Sequence, residues 1–483
     1  MRQAFFSLLL LIPAFAEKPN IVVILADDMG YGDVQALNPD SKIPTPHLDS
    51  LAKEGVTFTD AHSPSAVCTP TRYGILTGRY CWRSWLKKSV LFTPKDKPLI
   101  ENGRPTIASF LKKQGYSTHM VGKWHLGFEW ARNEEGQVDF EAPITDGPNQ
   151  KGFDTYFGVA ASLDMVPYAY YSQDRPISPL PDIQPRIDFP KFVRQGPKSK
   201  DFDCGDVLDR LAEESEKVIA SAVEAKTPFF LYLPLTSPHK PVWPHERFIG
   251  STELGPYGDF VHQTDHTVGL VLKSLEKHGV DENTLVIYTS DNGSFMFQIA
   301  DKHPADHITD SSIQKYFAKN HRANHHWRGT KADIYEGGHR VPFFVRFPGK
   351  AKAGLACKRT ISHTDIFSTV TELLGKPLPE QAEDSYSFLT ELSGETGKER
   401  PPVIHHSING TFSIRKDAWK LILSNGSGGR AHPKGSPFEK PYQLYNLAED
   451  PSEEKNQIET KPELADLLES EFQAIARDHK TSR

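Results

Sequence analysis

Residues 65–80, SAVCTPTRYGILTGRY, place one cysteine directly before a threonine, a proline and an arginine. Thr69 is suited to cap a helix and the proline after it to begin one, so the sequence predicts a helix over about residues 70–76. Cys68 would then lie just ahead of a helix N-terminus, where negative charge is favoured, and Arg72 would add a fixed positive charge. This pattern predicts an anion-binding position at Cys68; a buried, inert cysteine is the alternative.

Two polar pairs could hold a metal ion. Each follows an apolar run, and the pairs are Asp27 with Asp28 and Asp291 with Asn292. Together they offer only oxygen ligands, three of them anionic, which suits a hard divalent cation such as Ca²⁺ or Mg²⁺ and suits Zn²⁺ poorly. For either pair alone, a turn or a helix cap is the alternative.

Short apolar runs that alternate with helix-like segments would have to position these residues. The runs cover residues 20–28, 116–125, 228–239, 284–292 and 341–349. Runs of this kind are typical of buried parallel strands. Residues 257–278 show apolar side chains at intervals of three and four, which predicts a helix. The alternation predicts an α/β fold with a large, mostly parallel sheet and helices on both of its faces.

Four of the five predicted strands end in polar side chains. These are Asp27 with Asp28, Lys123 with His125, His239, and Asp291 with Asn292. In open α/β sheets, ligands bind beyond the carboxyl ends of the strands, so residues far apart in the chain can form one site there. Any single cluster could be an ordinary polar loop, but four together favour one functional site.

After about residue 400 the pattern changes. TFSIRKDAWKLILS and YQLYNLAEDPSEEKNQI are typical of antiparallel strands joined by turns, and a terminal helix is predicted over residues 462–476. We therefore expect a catalytic domain over residues 17–400 and a smaller C-terminal subdomain, an antiparallel sheet plus a helix, over residues 401–483.

The N-terminus resembles a secretory signal peptide. Arg2 precedes a short apolar run, and Ala14-Phe15-Ala16 fits a cleavage site, so residues 1–16 are the predicted signal. A membrane span needs about 20 apolar residues, which this run does not supply. We expect a secreted or periplasmic protein without a membrane anchor after signal cleavage.

Charge and cysteine content restrict the function further. The formal net charge is −6 and basic residues form no block, which argues against a nucleic-acid partner. The four cysteines, Cys68, Cys81, Cys204 and Cys357, are too few for a disulfide scaffold. The sequence alone does not decide whether one or two disulfide bonds form.

CTPTRYGILTGR resembles, over its whole length, the signature of the type I sulfatases. In that family the cysteine of a Cys-x-Pro-x-Arg core is oxidised to Cα-formylglycine before folding, by a separate maturation system. The resemblance runs from about residue 19 to 456 through ADDMGYGD, GKWHLG, TSPHKP, TSDNG, GTKADIYEGGHRVP and LYNLAEDPSEEKN. It is greatest to the branch of arylsulfatase A and N-acetylgalactosamine-6-sulfatase, and it implies an alkaline-phosphatase-like fold.

The resemblance also implies roles for individual residues. One divalent cation, Ca²⁺ or alternatively Mg²⁺, would be held by Asp27, Asp28, Asp291, Asn292 and the formylglycine made from Cys68. Arg72 and Lys123 would hold the formylglycine and the sulfate charge. His125, His239 and Lys331 would transfer protons or bind sulfate oxygens. His125 would be the base and His239 the main acid, and Lys331 would assist His239. Ser162 would face the sulfate.

These roles fit the chemistry of sulfate esters. The ester is an anion that repels nucleophiles, so a cation, Arg72, Lys123 and Lys331 would be needed around it. The hydrated aldehyde supplies one hydroxyl that attacks sulfur, forming a covalent sulfate ester on the enzyme. Deprotonation of its second hydroxyl then expels sulfate and restores the aldehyde. The expected substrate is a sulfated sugar or polysaccharide.

Two other functions remain open from sequence. Phosphate or phosphonate monoester hydrolases share this fold, and a non-catalytic binder of sulfated glycan could retain it. A binder should lack a catalytic residue, and none of the expected positions is missing. The histidine-rich stretch over residues 303–326 could line the substrate cleft; a solvated loop or an adventitious metal-binding surface is the alternative.

Overall fold

The computed structural model describes residues 18–188, 191–299, 315–317 and 321–477. The predicted signal peptide lies outside the described residues. Within them, none of the helices combines the length and the apolar character that crossing a bilayer requires.

A ten-stranded sheet forms the centre of the molecule. Its strands, in chain order, are β1 (Asn20–Asp27), β2 (Val56–Phe58), β3 (Ser117–Lys123), β4 (Thr155–Val159), β5 (Tyr171–Ser172), β6 (Arg175–Pro176), β7 (Phe229–Pro238), β8 (Thr284–Ser290), β9 (Phe343–Arg346) and β10 (Leu355–Cys357). Their spatial order is β10-β2-β9-β8-β1-β7-β3-β4-β5-β6. The central strands β8, β1, β7, β3 and β4 run parallel, as predicted for the first four; β4 lies outside the predicted apolar runs.

The predicted parallel direction of the run at 341–349 is wrong. β9 pairs antiparallel with β8. The residues just after β8 and those just before β9 lie together at the carboxyl edge of β8, where the Gly293 N–H donates to the Gly338 carbonyl at 3.0 Å. β9 therefore enters the sheet from the edge at which β8 ended and must run in the opposite direction.

Helices cover both faces of the sheet because the strands are apolar on both faces. They are α1 (Pro46–Glu54), α2 (Cys68–Thr77), α3 (Ile107–Lys113), α4 (Val207–Glu224), α5 (Pro256–Lys277), the short α6 (Glu336–His339), α7 (Asp365–Leu373) and α8 (Pro462–Arg477). In β1, Ile21 and Val23 join the core on the side of α2, α3 and α7. Val22 and Ile24 join the opposite core, which includes α1, α4 and α5. Alternating side chains thus create two cores.

The C-terminal region forms the predicted antiparallel sheet and helix. Strands β11 (Val403–His406), β12 (Phe412–Lys416), β13 (Trp419–Ile422) and β14 (Gln443–Asn446) pair in sequence order. Leu468 and Phe472 of α8 pack into the core of this sheet. Three two-stranded pairs complete the described structure: Ala61–His62 with Ile361–Ser362, Asp182–Gln184 with Gly196–Lys198, and Phe297–Ile299 with Lys315–Phe317. All four cysteines are free thiols, so the disulfides left open by the sequence are not formed.

Lys420 of β13 fixes the C-terminal sheet to the segment around α6. Its ammonium lies 3.0 Å from a Glu336 carboxylate oxygen and 2.8 Å from one of Glu453, and all three side chains are fully buried. Removal of one partner from a buried ion pair leaves an uncompensated charge in a low-dielectric interior. This contact should therefore contribute strongly to stability.

We expect Lys420→Met to lower the free energy of unfolding by about 3–5 kcal/mol, because it leaves the buried Glu453 carboxylate without its lysine partner, although Glu336 keeps its ion pair with Arg340. Lys416→Met on the neighbouring strand is the matched control, since the Lys416 ion pair with Glu471 is partly exposed and should cost about 0–1 kcal/mol. Urea denaturation followed by circular dichroism measures both variants. Equal losses of unfolding free energy in the two variants would show that the buried ion pair contributes no more to stability than the partly exposed one.

Candidate active site

Four adjacent strands bring the predicted polar clusters together at one edge of the sheet. β8, β1, β7 and β3 are neighbours in that order, and their carboxyl ends lie side by side. Asp27, Lys123 and Ser290 are the last residues of their strands, and His239 directly follows β7. The predicted convergence of these clusters is therefore present in the structure.

The acidic residues of β1 and β8 contact one another. Asp28 has a left-handed backbone with φ of 68°. Its N–H donates to Asp291 Oδ1 at 3.1 Å, and its Oδ1 accepts from the Asn292 side-chain amide at 2.7 Å. Of the predicted metal ligands, the three aspartates and Asn292 are fully buried. Three buried carboxylates this close together require nearby positive charge.

The donor set fits a hard cation. Asp27 Oδ1 and Asn292 Oδ1 are both buried and have no hydrogen-bond partner among the described residues. Burial raises the pKa of Asp27, and the charge of Asp291 raises it further, although Lys123 opposes the shift. Ligand atoms of Asp27, Asp291 and Cys68 lie within 4.8 Å of one another. Orphaned oxygens beside unfavourably buried carboxylates are the environment that Ca²⁺ or Mg²⁺ satisfies.

The helix that carries Cys68 begins two residues earlier than predicted. α2 starts at Cys68 itself, and its N-cap is Val67, which makes no side-chain capping bond. The Thr69 hydroxyl instead donates to the His125 carbonyl at 3.2 Å and accepts from the Leu91 N–H at 3.2 Å. Thr69 therefore ties neighbouring segments to the helix, because tertiary contacts compete with capping for its single hydroxyl.

The Cys68 thiol is poorly suited to act as a nucleophile. It is 2% exposed, and burial raises its pKa even though Lys123 and Lys331 oppose that shift. Since the thiolate is the reactive form of cysteine, a buried thiol with a raised pKa is inert. The position is nevertheless surrounded by cations.

Three cationic side chains neutralise the carboxylates. The Arg72 guanidinium donates to Asp291 Oδ2 at 2.7 Å, the Lys123 ammonium to Asp27 Oδ2 at 2.6 Å, and the Lys331 ammonium lies 2.6 Å from Asp28 Oδ1. Burial opposes the charge on Lys331, but the carboxylates, Asp28 above all, outweigh it and raise the pKa of Lys331. The predicted cations and carboxylates therefore alternate in one buried network.

Each of the two site histidines has one nitrogen bound to a backbone carbonyl. His125 Nε2 lies 3.0 Å from the Leu91 carbonyl, which fixes its N–H there, and its buried Nδ1 has no partner among the described residues. His239 Nδ1 donates to the Lys240 carbonyl, and its Nε2 lies 3.7 Å from Asp28 Oδ2. Burial first, then nearby lysines, lowers the pKa of both imidazoles. Each therefore presents one bare nitrogen that can accept a proton.

The segment that carries Ser162 contacts His125. The backbone N–H of His125 donates to the Ala160 carbonyl at 2.9 Å, which brings the segment after β4 against the site. The Ser162 hydroxyl is buried and has no hydrogen-bond partner among the described residues. An unsatisfied buried hydroxyl is compatible with the predicted contact to a ligand oxygen.

Part of the histidine-rich stretch can be placed. His303 and His307 lie outside the described residues. His321 is buried, and its Nε2 lies 2.8 Å from Asp33 Oδ1. The Tyr257 hydroxyl donates to the other oxygen of Asp33 at 2.6 Å. For His321, a structural role in this buried network therefore accounts for the contacts.

A second histidine group is not arranged for metal binding. His62, His339 and His405 are buried, with candidate ligand atoms within 4.8 Å of one another. The His339 and His405 rings are stacked, with centroids 3.9 Å apart and an angle of 9° between the planes. Imidazole lone pairs lie in the ring plane, so two stacked rings cannot direct them at one ion.

Sequence reasoning missed two cationic residues near the site, Lys240 and Arg430. Lys240 follows His239 in TSPHKP and could have been noticed for that reason. Arg430 is in the glycine-rich segment SNGSGGRAH of the C-terminal region, where no pattern in the sequence signals its position. Its backbone N–H donates to Asp333 Oδ1, two residues after Lys331, so only the tertiary fold brings this segment close to the site.

Comparison with known proteins gives a consistent result. The sequence profile of the sulfatase family matches residues 19–376. An N-acetylgalactosamine-6-O-sulfatase of Bacteroides thetaiotaomicron is 32% identical, over 94% of this chain and 93% of that protein. Human arylsulfatase A is 29% identical, over 92% of this chain and 84% of that protein. A solved structure described under the metabolism of multiple glycosaminoglycans by Bacteroides thetaiotaomicron superposes with a TM-score of 0.80 at 32% identity, covering 95% of this chain and 99% of that one.

The acidic pocket should bind one hard divalent cation. After chelation and dialysis, we expect the protein to bind one equivalent of Ca²⁺ or Mg²⁺, measured by calorimetry and elemental analysis. A free concentration 100 times the dissociation constant should raise the free energy of unfolding by about 2.7 kcal/mol. Asp291→Asn should abolish both effects, because it removes a carboxylate from the pocket.

Asp164→Asn is the control for this experiment, since Asp164 pairs with Arg194 and is not a predicted ligand. It should bind the cation as the unmodified chain does. Stoichiometric zinc, or full activity after exhaustive chelation, would contradict the assignment.

Proposed function

Because the chain belongs to the sulfatase family and is a sulfuric ester hydrolase, we propose that it removes sulfate from a sulfated saccharide at the site around Cys68. One observation carries this proposal: Cys68, three carboxylates and three cationic side chains form a single buried cluster at the carboxyl edge of the sheet. The names of the relatives make 6-sulfated N-acetylgalactosamine the first substrate to test.

The proposal includes two groups that the polypeptide must acquire. Asp27, Asp28, Asp291 and Asn292 would hold a divalent cation, Ca²⁺ or Mg²⁺, which stabilises negative charge when bound. Oxidation of Cys68 to formylglycine would supply an aldehyde hydrate with a hydroxyl that attacks sulfur. Because Cys68 is 2% exposed, a maturation system would have to modify it before the chain folds.

Three cationic side chains are proposed to hold the substrate. Arg72, which also donates to the Lys123 carbonyl at 3.1 Å, would orient residue 68 and counter the charge that develops there. Lys123 and Lys331 would each share their ammonium protons between a site carboxylate and a sulfate oxygen. The Ser162 hydroxyl would donate to another sulfate oxygen. These donors are fixed in place before substrate binds, so they lower the cost of charge development in the transition state.

Proton transfer is proposed to use the two bare histidine nitrogens. His125 Nδ1 would act as the base that opens the sulfated intermediate, since its other nitrogen is held by the Leu91 carbonyl. His239 Nε2 would take up a proton as the anionic substrate binds and pass it to the leaving sugar oxygen. Lys331 would assist this step. The Lys240 carbonyl holds the His239 ring so that Nε2 can face the substrate.

Export completes the proposal. The predicted signal peptide would direct the chain to the periplasm or the exterior, where large sulfated polysaccharides are accessible. No membrane anchor is proposed after its removal.

Cys68 should be found as formylglycine in active protein. Mass spectrometry of the peptide that contains residue 68 should show the aldehyde or its hydrate in place of the thiol. Cys68→Ala should remove turnover and leave the thermal unfolding transition in place, because the side chain is small and makes no ion pair. Cys81→Ala, at another buried free thiol, is the control and should stay active. An unmodified thiol at residue 68 in fully active enzyme would contradict the proposed formylglycine.

Loss of His239 should depend on the leaving group. A sugar alkoxide is a poor leaving group and needs a proton, whereas an activated phenolate leaves without one. We expect His239→Ala to lower kcat/KM on a sulfated sugar by about 10²- to 10⁴-fold, and on 4-nitrophenyl sulfate by far less. His245→Ala, at a partly exposed histidine, is the control. Equal losses on both substrates would remove His239 from the acid role and leave Lys331 as the candidate.

A further inference from the structure

Asn324 belongs to the histidine-rich stretch, and its side chain holds the turn that follows β8. Its Oδ1 accepts from the Ser294 N–H at 2.8 Å, and its Nδ2 donates to the Ser294 carbonyl at 3.0 Å. Ser294 lies two residues after Asn292, one of the predicted metal ligands. Asn324 is 2% exposed, so both hydrogen bonds are shielded from water. The amide thus binds both backbone groups of one residue in the turn.

The segment that carries Asn324 also packs against the turn that follows β1. The Gly32 N–H donates to the Ala323 carbonyl at 2.7 Å. A Cβ at Gly30 would lie 2.0 Å from the Ala323 carbonyl oxygen and 2.9 Å from Asn324 Oδ1, so only glycine permits this approach. Gly30 lies two residues after Asp28. Asn324 therefore lies between the turns that follow the two pairs of predicted ligands.

The segment that carries Lys331 joins the other two at the same point. The Ser294 carbonyl, which accepts from Asn324, also accepts from the Lys331 N–H at 2.9 Å. The Lys331 ammonium in turn lies 2.6 Å from Asp28 Oδ1. Three segments that supply residues to the candidate active site thus meet at the Asn324 side chain.

The two ligand pairs need a connection that leaves their own oxygens free. Their direct contacts run from the Asp28 N–H to Asp291 Oδ1 and from the Asn292 side-chain amide to Asp28 Oδ1. Carboxylate oxygens are the atoms that a hard cation takes as ligands, and the carboxylates repel one another without it. Asn324 binds backbone groups and uses no ligand oxygen. Because it is also uncharged, its effect on a cation would come through the positions of the ligands.

We propose that Asn324 is a positioning residue for the divalent cation. It fixes the turn after β8 against the turn after β1, and so sets the distance between the pair Asp291 with Asn292 and the pair Asp27 with Asp28. This rests on the proposed function, which assigns the cation to these four residues. The affinity for Ca²⁺ or Mg²⁺ then depends on a residue that is not itself a ligand.

Cation binding to the metal-free protein tests this role without turnover. Asn324→Leu keeps the approximate shape of the side chain and removes both hydrogen bonds to Ser294. We expect it to weaken the binding of Ca²⁺ or Mg²⁺ by about 10- to 100-fold, the usual range for residues that orient metal ligands. Calorimetric titration of the full chain after chelation and dialysis measures the dissociation constant, and the stoichiometry should not change.

Asn20→Leu is the matched control. Asn20 is also a buried asparagine with two hydrogen bonds, since its Oδ1 accepts from the Phe229 N–H at 3.2 Å and its Nδ2 donates to the Thr284 hydroxyl at 3.4 Å. These three residues begin β1, β7 and β8, so they lie at the opposite edge of the sheet. Urea denaturation of the metal-free proteins should show comparable losses of unfolding free energy in the two variants. The cation affinity of Asn20→Leu should change by less than about twofold, because distant sites act independently.

Asn324→Ser provides a second test if the leucine variant does not fold. The smaller side chain leaves room for water to satisfy the Ser294 backbone, but it cannot hold the two turns together. It should weaken cation binding by about 10-fold.

Three results would overturn the proposal. They are unchanged cation affinity in the folded Asn324 variants, equal weakening in Asn20→Leu, and the absence of Ca²⁺ or Mg²⁺ binding by the unmodified chain. Equal weakening would mean that affinity follows general stability. Failure of the unmodified enzyme to hydrolyse any sulfate ester, including 4-nitrophenyl sulfate, would contradict the proposed function instead, and the binding data would still decide the role of Asn324.

Discussion

The mutual neutralisation of buried charges at the carboxyl edge of the sheet constrains the rest of the structure. Asp27, Asp28 and Asp291 are fully buried, and each has a cationic partner within 3 Å. An isolated charge in such an interior would be very costly, so no member of this network can be displaced without exposing another. The cationic partners come from a strand, a helix and a loop, which must therefore converge at this edge of the sheet.

The strand order and two glycines make that convergence possible. β1 lies between β7 and β8, so Asp27 and Asp28 reach both Asp291 and His239. Beside Lys123, the backbones approach very closely: a Cβ at Gly122 would lie 2.0 Å from the Pro234 carbonyl oxygen, and one at Gly158 would lie 1.8 Å from that of Gly122. Any larger residue would separate the strands that carry Lys123 to Asp27.

The sequence was informative where local pattern decides structure. The apolar runs marked the strands, and α5 and α8 agree with prediction at their ends to within one residue. The four polar strand ends were enough to predict one site, because parallel strands place their carboxyl ends at the same edge. Tertiary contacts decided the rest. β9 runs antiparallel because the residues just before it lie at the site edge, beside those that follow β8, and Thr69 bonds to His125 rather than capping α2. The loop that carries Arg430 packs on Asp333, a contact that no sequence pattern signals.

The same network explains why an unmodified thiol would be a poor choice at position 68. The carboxylates and cations already cancel, so the cluster alone offers little net attraction to an anionic ester. Burial raises the pKa of Cys68, which keeps the thiol protonated despite the neighbouring lysines. A divalent cation at the orphaned oxygens of Asp27 and Asn292 would turn a neutral cluster into a positive one. An oxygen-bearing side chain at position 68 would then be a better ligand for that cation than sulfur, because hard divalent cations prefer oxygen. The proposed cation and the proposed change at residue 68 would thus depend on each other, because the cation would supply the missing positive charge and the changed side chain would supply the missing oxygen ligand.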